Sequence, residues 1–202
     1  MSEVDDARSR LALLRHSFEA SAEVKRATVE ACGDAIALAA DLLIETLRGD
    51  GRVLAFGNGG SASDAQHFAA ELAGRFDGDR PALPALALTA NTSDLTAIGN
   101  DYGFDRVFAR LVAAHGRSGD LAVAISTSGN SPNVLEAASE ARARGLRSVG
   151  LIGRGGGKLA GAVDVPIVVP SDVTARIQEA HITILHVLCE LVEAALFSEE
   201  KA

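Results

Sequence analysis

Past residue 50 the chain carries five short, continuously apolar runs, at 53–56, 85–89, 121–125, 148–152 and 165–169, separated by glycine- or serine-rich stretches. A strand that is apolar at every position, with no alternation, is covered on both faces, which is the situation of a parallel sheet enclosed by helices. Helical periodicity fills the intervals at 61–75, 105–114 and 132–144, and a last long helix is expected over about 175–197. The expectation is a three-layer α/β fold with a five-stranded parallel sheet. Upstream, Leu11, Leu14, Phe18, Ala35, Leu38, Leu42, Leu43 and Leu47 recur at helical steps, and Gly49 or Gly51 ends the pattern. We read residues 1–49 as two N-terminal helices for packing and oligomerisation and 50–198 as the α/β domain, one compact unit overall. These helices exceed the cover that such a sheet needs, so their spare apolar faces predict self-association.

The 202 residues are 48% hydrophobic and 23% charged, enough for one sizeable core. A formal charge of −8 gives no positive field for a phosphate backbone, so nucleic acid is not an expected partner. Two cysteines, Cys32 and Cys189, sit in apolar helical patterns without metal or redox spacing, which fits a reducing compartment. The acidic start Met1-Ser-Glu-Val-Asp-Asp does not read as a secretory signal, and the stretch from Ala35 to Leu47 is interrupted by Asp41 and Glu45. A cytoplasmic protein with no membrane partner is expected.

In open parallel sheets, ligands gather beyond the carboxyl ends of the strands, where helix N-termini present free N–H groups. Two loops lie at such ends. Gly57-Asn58-Gly59-Gly60-Ser61 follows the first strand, its glycines allowing close backbone approach. Ser126-Thr127-Ser128-Gly129-Asn130-Ser131 follows the third and opens a helix, offering four hydroxyls as neutral donors for a phosphate. Either is an acceptable turn or N-cap alone; together they favour a phosphorylated small molecule. The Gly57-x-Gly59-x-x-Ala62 spacing fits a relaxed dinucleotide fingerprint, yet Asp77 and Asp79 precede the second strand where an acidic residue should close it. Gly153-Arg-Gly-Gly-Gly-Lys158 lacks the Walker spacing and reads as a strand-to-helix turn.

After the first loop, His67 and Glu71 stand four apart, about 40° around a helix axis, able to bind a metal or exchange protons. On the last helix, His181 and His186 differ by about 140° and cannot face one site, and Gln178 lies about 12 Å before His186 along the axis. For His186, set among Leu185, Val187 and Leu188, a core histidine is the plain alternative.

Taken in order, Gly57-Asn-Gly-Gly-Ser61, Ala65-Gln-His67-Phe-Ala-x-Glu71, Gly74-Arg75-Phe76, Arg80-Pro81, Ala97-Ile-Gly-Asn100-Asp101, Ile125-Ser-Thr-Ser-Gly-Asn-Ser131 and Arg176-Ile-Gln-Glu179 with His186 resemble the phosphoheptose isomerases, a sugar isomerase (SIS) domain family. The resemblance covers about residues 50 to 190. It implies a flavodoxin-like sheet, a homotetramer with active sites at subunit interfaces, and conversion of sedoheptulose 7-phosphate to D-glycero-D-manno-heptose 7-phosphate, the first step in supplying heptose for lipopolysaccharide or other surface glycans. It further implies a phosphate site at Ser126, Thr127, Ser128 and Ser131, and substrate contacts at Asn58, Gly59, Gly60, Glu71, Asn100, Asp101 and Gln178. One zinc ion per subunit is implied on His67, Glu71, Gln178 and His186, with Glu71 and His186 as acid and base.

That chemistry needs such groups, because moving a carbonyl between C1 and C2 through a cis-enediol takes a proton from one carbon and returns it to the next. The competing reading is a non-catalytic relative that binds a replication initiator or senses a sugar phosphate. Glu71 and His186 are the discriminating positions, and their presence favours catalysis. An isomerase for another ketose phosphate would keep the same machinery.

Overall fold

The computed structural model describes residues 3–197, with side chains from residue 8 onward; Met1, Ser2 and the assigned domain end at 198 lie outside that range. Helix α1 (Glu3–Arg48) precedes β1 (Val53–Gly57), α2 (Gly60–Ala73), β2 (Ala85–Ala87), α3 (Thr92–Tyr102), α4 (Val107–His115), β3 (Leu121–Ser126), α5 (Pro132–Ala143), β4 (Arg147–Ile152), β5 (Val165–Val168) and α6 (Thr174–Phe197). All strand pairs are parallel in the order β2-β1-β3-β4-β5, with Ala55 opposite both Ala87 and Val123. The order reverses at β1, so the tips of β1 and β3 adjoin at the switch point where such sheets place ligands.

Continuous apolarity in the strands has the expected cause. Val53, Ala55, Val123, Ile125 and Leu151 point into a core shared with Leu43 of α1, Phe68 and Leu72 of α2 and Ile184 and Leu188 of α6. Their neighbours Leu54, Phe56, Ala122, Ala124 and Ile152 point the other way, onto Phe108 and Val112 of α4 and Val134 and Ala138 of α5. Alternate side chains thus enter two different cores.

The N-terminal region corrects the expectation of two helices: residues 3–48 form one 46-residue helix. No proline falls within it, and Gly33 costs about 1 kcal/mol in a helix interior, too little to break it against the packing of Leu42, Leu43 and Leu47. The stop comes where expected, with Gly49 and Gly51 donating to Glu45 and Thr46 carbonyls and Asp50 at φ 60°.

Helix α3 was not anticipated. Its start is a local one, the Asn91 side chain accepting from the Ser93 and Asp94 backbone N–H groups, and none of its residues is buried, so it shows no strong apolar stripe. The segment after β4 also departs from expectation. Arg154–Gly156 and Leu159–Gly161 are single 3₁₀ turns, and the chain passes straight into β5 without an α-helix. Four successive residues from Arg154 to Gly157 have positive φ, which no α-helix can contain.

Helix α6 is long and apolar enough to cross a membrane by length and composition alone. Its Ile177, Leu185, Leu188 and Val192 are fully buried in the core formed with α1, α2 and the sheet, which accounts for that apolarity.

Candidate active site at the tips of β1 and β3 and the seam between α2 and α6

Both loops read from the sequence stand together at the β1/β3 tips. Asn58 in the first and Asn133 on α5 exchange two amide hydrogen bonds of 2.8 and 2.9 Å, locking the glycine turn to the helix that the serine loop opens. Asn133 was missed in the sequence reading; its partner lies 75 positions away, and nothing local marks it.

Within the serine loop, the Ser126 and Ser131 hydroxyls are 3.1 Å apart. Ser131 occupies the N-cap of α5 yet makes no side-chain capping bond, so its hydroxyl stays on the loop side together with the amino end of the helix. Gly129, at φ 62°, lies against the Gly156 carbonyl, and Asn130 accepts from the Lys158 N–H. The Gly153–Lys158 turn therefore buttresses the serine loop. Four hydroxyls thus stand on the loop that leads into a helix N-terminus, a setting with which anions are favourably paired.

The second half of the site runs along α2 and α6. The Gln178 carboxamide lies over Gly60, where an added Cβ would meet it and push it aside. Seven residues on in α2 and eight in α6, rises of about 10.5 and 12 Å, His67 meets His186. The two helices are therefore aligned in the same direction along this seam, which is how Gln178 and His186 of one chain both border it.

His67 Nε2 is 2.9 Å from Glu71 Oε1 and 3.4 Å from His186 Nε2. One donor atom from each residue falls within 4.8 Å of the others. A tetrahedral ion with arms of ~2.1 Å has edges of about 3.4 Å, so two imidazoles and a carboxylate at this spacing fit zinc, with a position left over. Among the described residues, no hydrogen bond joins Gln178 to these three.

Phe76 stacks at a tilt 5.5 Å from His186, walling one side of the cluster. One turn before His67, Asp64 has a carboxylate oxygen that is buried and unpartnered. Desolvation pushes this carboxyl up to about 6, against the pull of the nearby His67 charge.

His181 is the core histidine of the pair. It is wholly buried, its Nε2 meets the Ile152 carbonyl at 3.2 Å, and burial lowers its pKa to about 4. Asn100 and Asp101, at the end of α3, are exposed and bonded to each other at 2.8 Å. The single chain does not bring them to the loops or to the seam by any hydrogen bond among the described residues.

A family model described as SIS domain matches residues 17–153. The phosphoheptose isomerase of Geobacter sulfurreducens is 59% identical over 162 residues, covering 80% of this chain and 86% of its own length. That of Rhodospirillum rubrum is 58% identical over 167 residues, covering 83% and 89%. Among solved structures, the phosphoheptose isomerase of Neisseria gonorrhoeae superposes with a TM-score of 0.86 at 46% identity, over 93% of this chain and 99% of that one. With its sheet order, its two loops at the switch point and relatives of this identity over most of its length, the chain belongs to the SIS domain family and, within it, to the phosphoheptose isomerases.

Proposed function

We propose that the protein isomerises sedoheptulose 7-phosphate and D-glycero-D-manno-heptose 7-phosphate through a cis-enediol, at a site spanning the serine loop and the seam between α2 and α6. The observation that carries this reading is the convergence of His67, Glu71 and His186. A sensor or binding protein has no need of two imidazoles and a carboxylate gathered beside a phosphate cradle. Ser126, Thr127, Ser128 and Ser131 hold the phosphate, while Asn58, Gly59, Gly60, Gln178, Asn100 and Asp101 contact the sugar. His67, Glu71 and His186 hold one zinc per subunit, with Gln178, on the same seam, as the fourth ligand. An ion held there would supply Lewis-acid chemistry, polarising the sugar carbonyl and offsetting negative charge on its oxygen.

The chain's own residues move the protons. A base, whichever of Glu71 and His186 is free of the metal at that stage, removes the C1 proton of the ketose; the C–H electron pair forms the C1–C2 double bond and the C2 oxygen takes a proton from the other residue acting as acid. Return of a proton to C2, with loss of the O1 proton as the C1 carbonyl forms, gives the aldose, so nothing is oxidised overall.

No hydrogen bond among the described residues joins Asn100 and Asp101 to the loops, and α1 exposes Leu11, Leu13, Leu14 and Phe18. An apolar groove of about 260 Å³ between α1 and α6, lined by Val29, Ile36, Ile184, Val187 and Leu191 among others, continues this face. These features support a homotetramer whose subunit contacts complete the sites, with residues 1–49 serving assembly and 50–198 chemistry. A cytoplasmic supply of heptose for surface glycans is the setting we assign.

The test is to incubate the protein with sedoheptulose 7-phosphate and follow the sugar by NMR, with and without chelator and added zinc. An aldoheptose 7-phosphate signal that chelator suppresses and zinc restores is expected. Glu71→Gln and His186→Ala should each abolish turnover with the fold intact; retained turnover in either removes that residue from the mechanism.

A further inference from the structure

The segment between α2 and β2 is held by two charged residues that the reaction chemistry does not use. The Arg80 side chain is 2% exposed and that of Glu193, near the end of α6, 11%. Their charges meet at 2.8 Å, Nε donating to Oε1. Such a buried pair is a weak source of stability, since its attraction is offset by desolvation, so its placement asks for another reason.

Both partners also bond the backbone that supports the cluster, with one further Arg80 Nη1 bond to the Pro81 carbonyl at 3.0 Å. Arg80 Nη2 donates to the Glu71 carbonyl at 2.6 Å, and Nη1 to the Leu72 carbonyl at 2.7 Å and that of Gly74 at 3.4 Å. These are carbonyls that the end of α2 leaves without intrahelical partners, at the negative pole of the helix. Glu193 accepts from three successive backbone N–H groups, those of Phe76, Asp77 and Gly78, at 3.0, 3.2 and 3.2 Å. This fixes the turn that places the Phe76 ring against His186. Glu193 also lies seven residues after His186, about 20° round the same face of α6.

We propose that Arg80 and Glu193 are a positioning pair: one ion pair ties the backbone of Glu71 on α2 and the packing of His186 on α6 to a common anchor, setting the spacing of the donor cluster. Neither side chain touches the reacting atoms. The inference rests on the metal-dependent isomerase reading, and metal binding tests it apart from turnover. The pair lies beyond the histidines, away from the serine loop, so its loss should act on the metal and on kcat rather than on phosphate recognition.

The experiment uses full-length Glu193→Gln and Arg80→Lys, both close in shape to the originals. Metal-free protein is titrated with zinc against a competing chelator, the visible absorption of the cobalt(II) form is recorded, and kcat and KM are measured with sedoheptulose 7-phosphate. Zinc affinity is expected to fall by about ten- to a hundredfold, as for loss of groups that orient metal ligands. The cobalt spectrum should shift and kcat should drop, with KM within about twofold. Unchanged zinc affinity and cobalt spectrum, with only a lower melting temperature, would make the pair a fold anchor and overturn the proposal.

If both variants misfold, Phe76→Leu carries the same readouts with the ion pair intact, and an unaltered spectrum and affinity again overturn it. If the unaltered protein binds zinc yet leaves the sugar phosphate unconverted, the isomerase reading fails, while the affinity comparison still decides the pair. An unaltered protein that binds no zinc overturns both.

Discussion

Gly129 and Gly59 show how differently two glycines of one site are constrained. Both have positive φ, 62° and 56°. A Cβ on Gly129 would overlap the Gly156 carbonyl, whereas one on Gly59 meets nothing within 4 Å. Gly59, at ψ −121°, lies outside the left-handed helical well, so Gly59→Ala should cost backbone strain alone, about 1–3 kcal/mol. Gly129→Ala should cost that and about 1–3 kcal/mol more for displacing the buttressing turn, and raise KM for the sugar phosphate severalfold. Urea unfolding and steady-state kinetics on the two variants check this; equal costs would show that the buttress yields freely.

His181 belongs to the same scale. Its pKa of about 4 in the fold lies below the ordinary histidine value of 6.5 because burial disfavours the imidazolium. Between those values the unfolded chain binds a proton that the native state refuses, so stability falls as pH drops through this window. The loss amounts to about 3 kcal/mol in full. His181→Gln should flatten that acid limb in unfolding measured at pH 7 and pH 4.5; an unchanged slope would assign it to other groups. The His67–Glu71 pair and the serine loop were legible because each is local in sequence. Asn133, Arg80 and Glu193 were not, since their partners lie 75 or 113 positions away or among backbone atoms that a sequence does not display.

Among the elements, α1 carries the clearest unfinished surface. Its second half buries Leu42, Leu43 and Leu47, but Leu13 and Phe18 are 66% and 76% exposed. One uninterrupted helix carries this apolar edge well beyond the core, which two helices folded on each other would not. Leu13→Glu combined with Phe18→Glu is expected to lower the oligomer mass seen by sedimentation with helical content preserved. An unchanged mass would free this face from any role in assembly. Helix α3 shows the opposite case. With a good N-cap and no buried residue, it offered no apolar period to read, and only its cap Asn91-Thr-Ser-Asp hinted at it.

For the whole molecule, the site depends on two helices far apart in sequence lying side by side, with Gly60 against Gln178 and His67 against His186. A ligand that binds only this assembled state should stabilise it. Zinc at a hundred times its dissociation constant adds about 2.7 kcal/mol by linkage, a rise of several degrees in melting temperature that His67→Ala abolishes. A rise that survives His67→Ala would place the metal elsewhere.

By itself, the sequence determined the layer architecture, because strands covered on both faces must be apolar throughout, and it marked both loops at the switch point, because glycine and hydroxyl runs at strand ends are local signals. Only the tertiary structure supplied the physical ground for taking His186, which the motif resemblance implied, over His181 into the cluster. His181 is sealed beneath the end of β4 and His186 is turned to α2, a difference that depends on where α6 lies against the sheet. It likewise decided what holds the cluster in place. An arginine at 80 and a glutamate at 193 acquire meaning only when packing brings the end of α2 against the end of α6.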